Sequence, residues 1–242
     1  MELNIVNMFP EALNLYGDRG NIITLQKRCE WRGIKANIVE YSFNSNQEIL
    51  KTADIILLGG ASDREQAIMY SQLLNLKDLL KSLIEDGVCL LAICGGYQLL
   101  GEAYIDANKR VIKGLGILDF YTRSEGKRLI GNIVIETTLD IFPKTVVGYE
   151  NHGGRTYHGF KPFGNVLKGS GNNGRDGFEG LIYKNVIATY LHGPLLPKNP
   201  HIADYILKRA LERKYALSKL EFQKLDDELE YMAHNRVKEL YM

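Results

Sequence analysis

Cys94 ends an apolar run, Val88 to Ile93, and is followed by Gly95, Gly96 and a helix-like stretch. A buried strand that turns sharply into a helix needs small residues at the bend, because side chains there would collide. Ala92, Gly95 and Gly96 meet that need. Such a bend lifts the cysteine above the sheet edge, near the positive end of the next helix. That field favours thiolate over thiol, and thiolate is the nucleophile. The expected chemistry is attack by sulfur on an electrophilic carbon. Cys29 lies in a helical pattern and Cys89 inside the apolar run, so both read as small buried hydrophobes.

A thiol nucleophile needs a base and an oxyanion site. Of the five histidines, His192 is the candidate base. It follows a predicted strand, Val186 to Tyr190, and so reaches the strand-end side where Cys94 lies. The candidate oxyanion donors are the backbone N–H groups of Gly95 and of Gly60 or its neighbour; Gly59-Gly60 closes another predicted strand. Glycine lets backbone approach a substrate closely. Two other histidines, His152 and His158, flank a glycine-rich loop, but the cysteines and histidines lack the paired spacing of zinc ligands, so no metal is expected. Neither a phosphate loop nor a dinucleotide fingerprint occurs.

The elements that must position these residues alternate. Leu3 to Phe9, Lys35 to Tyr41, Asp54 to Leu58 and Val88 to Ile93 read as strands. Asn21 to Arg32 reads as a helix ended by Gly33. Asp63 to Glu85 reads as one long helix, with Leu73, Leu76, Leu80 and Leu83 repeating at three and four. This alternation predicts an α/β fold, a central, mostly parallel sheet with helices on both faces, whose sites form at the carboxyl ends of the strands. Between Gly114 and Gly180 the pattern changes to short antiparallel strands and loops. Lys198 to Tyr241 is largely helical and charged, and the amphipathic stretch Leu225 to Leu240 is either a solvated terminal helix or a partner-docking one. The expected division is a main domain over 1–200 and a helical extension over 201–242.

A chain of 242 residues with 45% hydrophobic content can bury a large core. A net charge of +1 gives no support for nucleic-acid or membrane-surface binding. No apolar run approaches the ~20 residues needed to cross a bilayer. Met1 to Val6 reads as a first strand and not as a signal peptide. An odd set of three cysteines suggests a reducing compartment, so a cytoplasmic protein is expected.

The elbow, the Gly-Gly after the third strand and the late histidine resemble class I, triad-type glutamine amidotransferase domains of flavodoxin-like fold. Tyr149-Glu150-Asn151-His152-Gly153 is similar to a segment of the cobyric-acid-synthase-like branch of that class. Two narrower runs, Tyr16-Gly17-Asp18-Arg19-Gly20-Asn21 and Gly59-Gly60-Ala61-Ser62-Asp63-Arg64-Glu65-Gln66, resemble the GatD-type glutaminase subunits of lipid II isoglutaminyl synthases. The resemblance implies that Cys94 attacks the side-chain amide of L-glutamine, giving a glutamyl thioester and ammonia. By the same resemblance His192 moves the proton, Gly60 and Gly95 hold the oxyanion, Gln98 helps bind substrate and Arg128 clamps the α-carboxylate. A guanidinium suits that last role because it pairs bidentately with carboxylate. From the residues alone, Arg123 and Lys127 are rivals of Arg128.

The resemblance also implies no cofactor in this chain, with ATP and magnesium on a Mur-ligase-like (MurT-type) partner. The two would form a heterodimer that amidates D-glutamate of the lipid II stem peptide. One position departs from the class. A glutamate usually follows the histidine by two residues, and here Pro194 stands there. The third member is therefore either absent or supplied from elsewhere, with Asp18 and Glu150 as candidates. Two other readings fit the same residues, a stand-alone thiol γ-glutamyl hydrolase and a non-catalytic regulatory subunit. A Mur-ligase-like neighbour gene favours the amidating complex, and alkylation of Cys94 by a glutamine analogue excludes the regulatory subunit.

Overall fold

A computed structural model describes residues 1–241, the side chains of Tyr16 and Asp63 apart. The first half runs β1 (Glu2–Met8), α1 (Arg19–Glu30), β2 (Lys35–Tyr41), α2 (Glu48–Lys51), β3 (Ile55–Leu58), α3 (Asp63–Leu74), α4 (Lys77–Glu85), β4 (Cys89–Ile93) and α5 (Gly95–Leu100). Then follow β5 (Ala103–Ile105), β6 (Val111–Lys113), β7 (Phe120–Thr137), β8 (Thr145–His158), β9 (Gly164–Lys168) and β10 (Phe178–Glu179). The chain closes with β11 (Leu181–Tyr183), β12 (Val186–Thr189), α6 (Pro200–Lys214) and α7 (Glu228–Tyr241).

Among the described residues the first sheet has the order β11-β12-β4-β3-β1-β2. Its pairs are parallel except β11 with β12. β3 and β4 are buried at every residue, as strands covered on both faces should be. The fold is the α/β arrangement expected, with Cys94, Gly59-Gly60 and the segment after β12 gathered at one sheet end.

Two features differ from the sequence-based expectation. The single helix over Asp63 to Glu85 is two, α3 and α4, broken at Asn75 and Leu76. Asn75 is a weak helix former and caps α3. Leu73, Leu76, Leu80 and Leu83 are all buried across the break, so apolar spacing does not reveal it. The middle of the chain is not a set of short strands. β7 and β8 form a long antiparallel ribbon whose register shifts between Ser124 and Leu129. The exposed part of β7 lacks alternation and reads as loop. With β5, β6, β9 and β10 the ribbon makes a second sheet. The helix α6 begins at Pro200 and packs on the main core through Ile202, Ile206, Leu207 and Leu211. Helical structure is interrupted between α6 and α7.

Arg28 of α1 is 1% exposed and ties these C-terminal parts down. Its guanidinium donates from Nε to Asp204 Oδ1 at 2.6 Å and from Nη1 to Asp227 Oδ1 at 2.6 Å. Asp204 lies in α6, and Asp227 directly precedes α7. Breaking such a pair strands carboxylates in a low-dielectric site. Arg28→Ala is expected to cost roughly 3 kcal/mol, the low end of the range because both aspartates retain some contact with water. Urea unfolding followed by circular dichroism measures this. Proteolysis should cut first in the segment joining α6 to α7; a stability within about 0.5 kcal/mol of the parent's would refute the clamp.

Candidate active site

Cys94 sits at φ 49°, ψ −101°, a backbone conformation costly for any residue with a side chain. The surrounding packing enforces it. A Cβ on Gly95 would stand 2.6 Å from the Ala61 nitrogen, and one on Gly96 would stand 2.3 Å from the Leu58 carbonyl oxygen. Gly96 N–H donates to Gly59 oxygen at 3.2 Å, and Cys94 N–H donates to Thr189 oxygen at 2.8 Å. The turn is thus sewn to the ends of β3 and β12. Cys94 is 5% exposed and opens on a cleft of about 470 Å³, which Gln98, Arg128, His152 and Ala61 also line. A larger depression of about 770 Å³ beside Ile68 and Val111 has no nucleophile or imidazole in its lining.

His192 follows β12 and is fully buried. Its backbone is held by Tyr149 of β8: His192 N–H donates to Tyr149 oxygen at 2.8 Å, and Tyr149 N–H donates back at 3.1 Å. Burial, helped by His152 and Arg128 nearby, pushes its imidazole down to about 4. It is therefore neutral near pH 7, as a base must be. A Cβ on Gly60 would stand 3.1 Å from His192 Cε1, so the Gly-Gly turn lies against the imidazole.

Gln98 of α5 is buried and held at both ends of its amide. It donates to Tyr190 Oη at 3.0 Å and accepts from Gln66 Nε2 at 2.8 Å. Arg128 of β7 reaches the cleft, donating to Asn151 Oδ1 at 2.8 Å and to Asn151 oxygen at 2.6 Å. Its rivals lie elsewhere. Arg123 stacks over the Tyr157 ring, and neither Arg123 nor Lys127 lines the cleft. The cleft thus brings together Cys94, Gln98 and Arg128, with His192 behind it.

Gly60 is the site residue whose geometry departs from the expectation. Its N–H already donates to Asp18 Oδ2 at 2.6 Å and so meets a competing acceptor. The next residue, Ala61, lines the cleft against Gly95. Asp18 does not cap α1 with its side chain. Burial pushes its carboxyl up to about 7, against the Gly60 hydrogen bond. Glu150 is spent elsewhere: its two oxygens accept from Ser170 N–H at 2.8 Å and Gly171 N–H at 2.9 Å.

Sequence reasoning missed Gln66, Tyr190 and His152 as parts of the cleft wall. His152 stacks on the Tyr190 ring at 3.7 Å between centroids, and Tyr190 in turn orients Gln98. The signal available was that Gln66 and His152 stand in the runs that carry the family resemblance, whereas Tyr190 ends a predicted core strand and gives none. Among the described residues no group of three or more His, Cys, Asp or Glu is arranged to hold a metal ion, and no helix is long and apolar enough to cross a membrane.

The arrangement is able to support thiol acyl transfer, and known proteins share both its fold and its sequence. A crystal structure of a glutamine amidotransferase superposes with a TM-score of 0.57 at 17% identity, covering 85% of this chain and 98% of that one. The PurLQS structure from Thermotoga maritima gives 0.56 at 16% identity over 90% of this chain and all of the matched one. In sequence, the GatD subunit of glutamine-hydrolysing lipid II isoglutaminyl synthase from Staphylococcus aureus (strain N315) is 51% identical over 96% of this chain and 93% of its own length. The GatD subunit from Streptococcus pneumoniae (strain ATCC BAA-255 / R6) is 38% identical over 88% of this chain and 82% of its own. A family model of the CobB/CobQ-like glutamine amidotransferase domain matches residues 4–200, a span that includes the cysteine elbow, the cleft and His192, and the chain belongs to that family.

Proposed function

We propose that this chain is the glutaminase subunit of a lipid II isoglutaminyl synthase. It hydrolyses L-glutamine and delivers ammonia to a Mur-ligase-like partner, with which it forms a heterodimer in the cytoplasm. The partner uses ATP and magnesium to amidate D-glutamate to D-isoglutamine in the stem peptide. Similarity to two GatD subunits over most of their length supports the reaction and the partner. The observation that carries the chemistry is Cys94 in a strained, glycine-lined elbow at the floor of a cleft shared with Gln98 and Arg128.

In this reading the Cys94 thiol gives its proton to His192, and the sulfur bonds to the amide carbon of glutamine. The tetrahedral oxyanion is held by the N–H of Gly95 with that of Gly60 or, its N–H being less committed, Ala61. Collapse breaks the carbon–nitrogen bond, and the proton held by His192 goes to the leaving nitrogen as ammonia departs. Water then cleaves the thioester to glutamate by the same proton route. Arg128 pairs with the α-carboxylate of the substrate, and Gln98, fixed by Gln66 and Tyr190, fills the wall beside the amide.

Glutamate release from glutamine, measured with and without the co-expressed partner, tests the reading. Release should be low from the isolated chain and rise with the partner, since Pro194 replaces the usual orienting glutamate; equal turnover in both states counts against a partner-dependent site. Cys94→Ala should abolish release while leaving partner binding intact, and retained release would remove Cys94 from the role. Arg128→Ala, which loses a charged hydrogen-bonding clamp, should weaken glutamine about 10- to 100-fold, seen as a raised KM. An unchanged KM would assign the carboxylate to another cation.

A further inference from the structure

Three contacts bring the run Asp18 to Asn21 against the loop that carries His192. Asp18 Oδ2 accepts from Gly60 N–H at 2.6 Å, which leaves Oδ1 at 4.0 Å from His192 Nδ1. Oδ1 is buried and has no hydrogen-bond partner among the described residues. Gly20 lies against Pro194 so closely that a Cβ there would stand 2.3 Å from the proline Cγ. Asn21 Oδ1 accepts from Leu196 N–H at 2.9 Å. The proline at the position of the class glutamate is thus a packing plate for the turn that brings in a different carboxylate. The opposite side of the loop is closed by the Tyr149–His192 backbone pair. Glu150, the other candidate, is bound to Ser170 and Gly171 and makes its contact with His152, 3.8 Å away.

We propose that Asp18 is the positioning residue for His192: Oδ1 accepts the Nδ1 proton of the imidazole and so leaves Nε2 as the basic nitrogen. The inference rests on the Cys–His reading of the site. Its geometry needs an approach of about 1 Å, of the kind catalytic hydrogen bonds make when substrate binds. Gly60 N–H holds the carboxylate's other oxygen, so on this proposal the oxyanion donor beside Gly95 is Ala61 and not Gly60. When His192 takes the thiol proton at Nε2, the imidazolium gains a buried counter-charge, and Asp18 receives no proton. The proton at Nε2 then leaves with ammonia, and the Nδ1 proton stays in place. A side chain at position 60 would crowd the pair, its Cβ standing 3.1 Å from both Asp18 Oδ2 and His192 Cε1.

Asp18→Asn separates this role from a structural one. The amide oxygen still accepts from Gly60 N–H, but the amide nitrogen now faces Nδ1 and selects the wrong tautomer. In the complex with its partner, kcat for glutamate release is expected to fall on the order of 10²- to 10⁴-fold with KM for glutamine nearly unchanged. Nitrogen-15 NMR of the ring should report a protonated Nδ1 in the parent and in Cys94→Ala, and a protonated Nε2 in Asp18→Asn. A parental kcat in Asp18→Asn, or an Nδ1 without its proton in the parent, overturns the proposal. If Asp18→Asn fails to fold, the tautomer in the parent chain still decides. A parent complex that releases no glutamate defeats the glutaminase reading instead, and the ring tautomer then tests the Asp18–His192 pairing independently of turnover.

Discussion

The left-handed turn at Cys94 is the constraint around which the rest of the site is arranged. A non-glycine residue at φ 49°, ψ −101° is costly and is held there by its neighbours. Here the neighbours are the backbones of β3 and β12. Gly95 and Gly96 let the start of α5 press onto Leu58, Gly59 and Ala61, and the Cys94 N–H is taken by Thr189. The same packing that strains the cysteine fixes the Gly59-Gly60 turn beside it. It also fixes where the chain leaves β12 three residues before His192. Cys94, the Gly60 and Gly95 backbones and His192 are therefore referenced to one junction of three parallel strand ends, a rigid mount of the kind the proposed chemistry requires.

The second sheet supplies what the first cannot. A strand-end histidine on a free loop would drift, and Tyr149 prevents this by closing a two-bond bridge from β8 to His192. The same stretch of β8 carries His152 onto Tyr190 and Asn151 onto Arg128. One short segment of the ribbon thus holds His192, the wall behind Gln98 and Arg128. The close seam between the sheets depends on Gly148, where a Cβ would stand 2.7 Å from Leu191 Cγ.

Much of this was legible in the sequence, because local rules govern it. Apolar runs ending in glycine located β3, β4 and the elbow, and the late strand located His192. What was not legible is set by contacts distant in sequence. Asp18 meets Gly60 across 42 positions, and neither residue advertises the other. The break between α3 and α4 leaves the leucine spacing intact, and so it is silent in any periodicity. The exposed half of β7 is a strand only because β8 pairs with it, and its polar residues read as loop. Arg128 was distinguishable from Arg123 only once the bend in that ribbon turned one inward to the cleft and laid the other over Tyr157.

Helix α1 joins two parts of the molecule that share no contact in the cleft. Asp18 precedes its first residue, and Arg28, near its last, grips the C-terminal segment through Asp204 and Asp227. Ten residues of α-helix make a stiff rod roughly 15 Å long. The carboxylate beside the imidazole and the anchor of the chain's tail therefore share one beam. Both ends are thus set by the placement of a single helix, so the seat of the C-terminal segment and the carboxylate near His192 are fixed by one element of the fold.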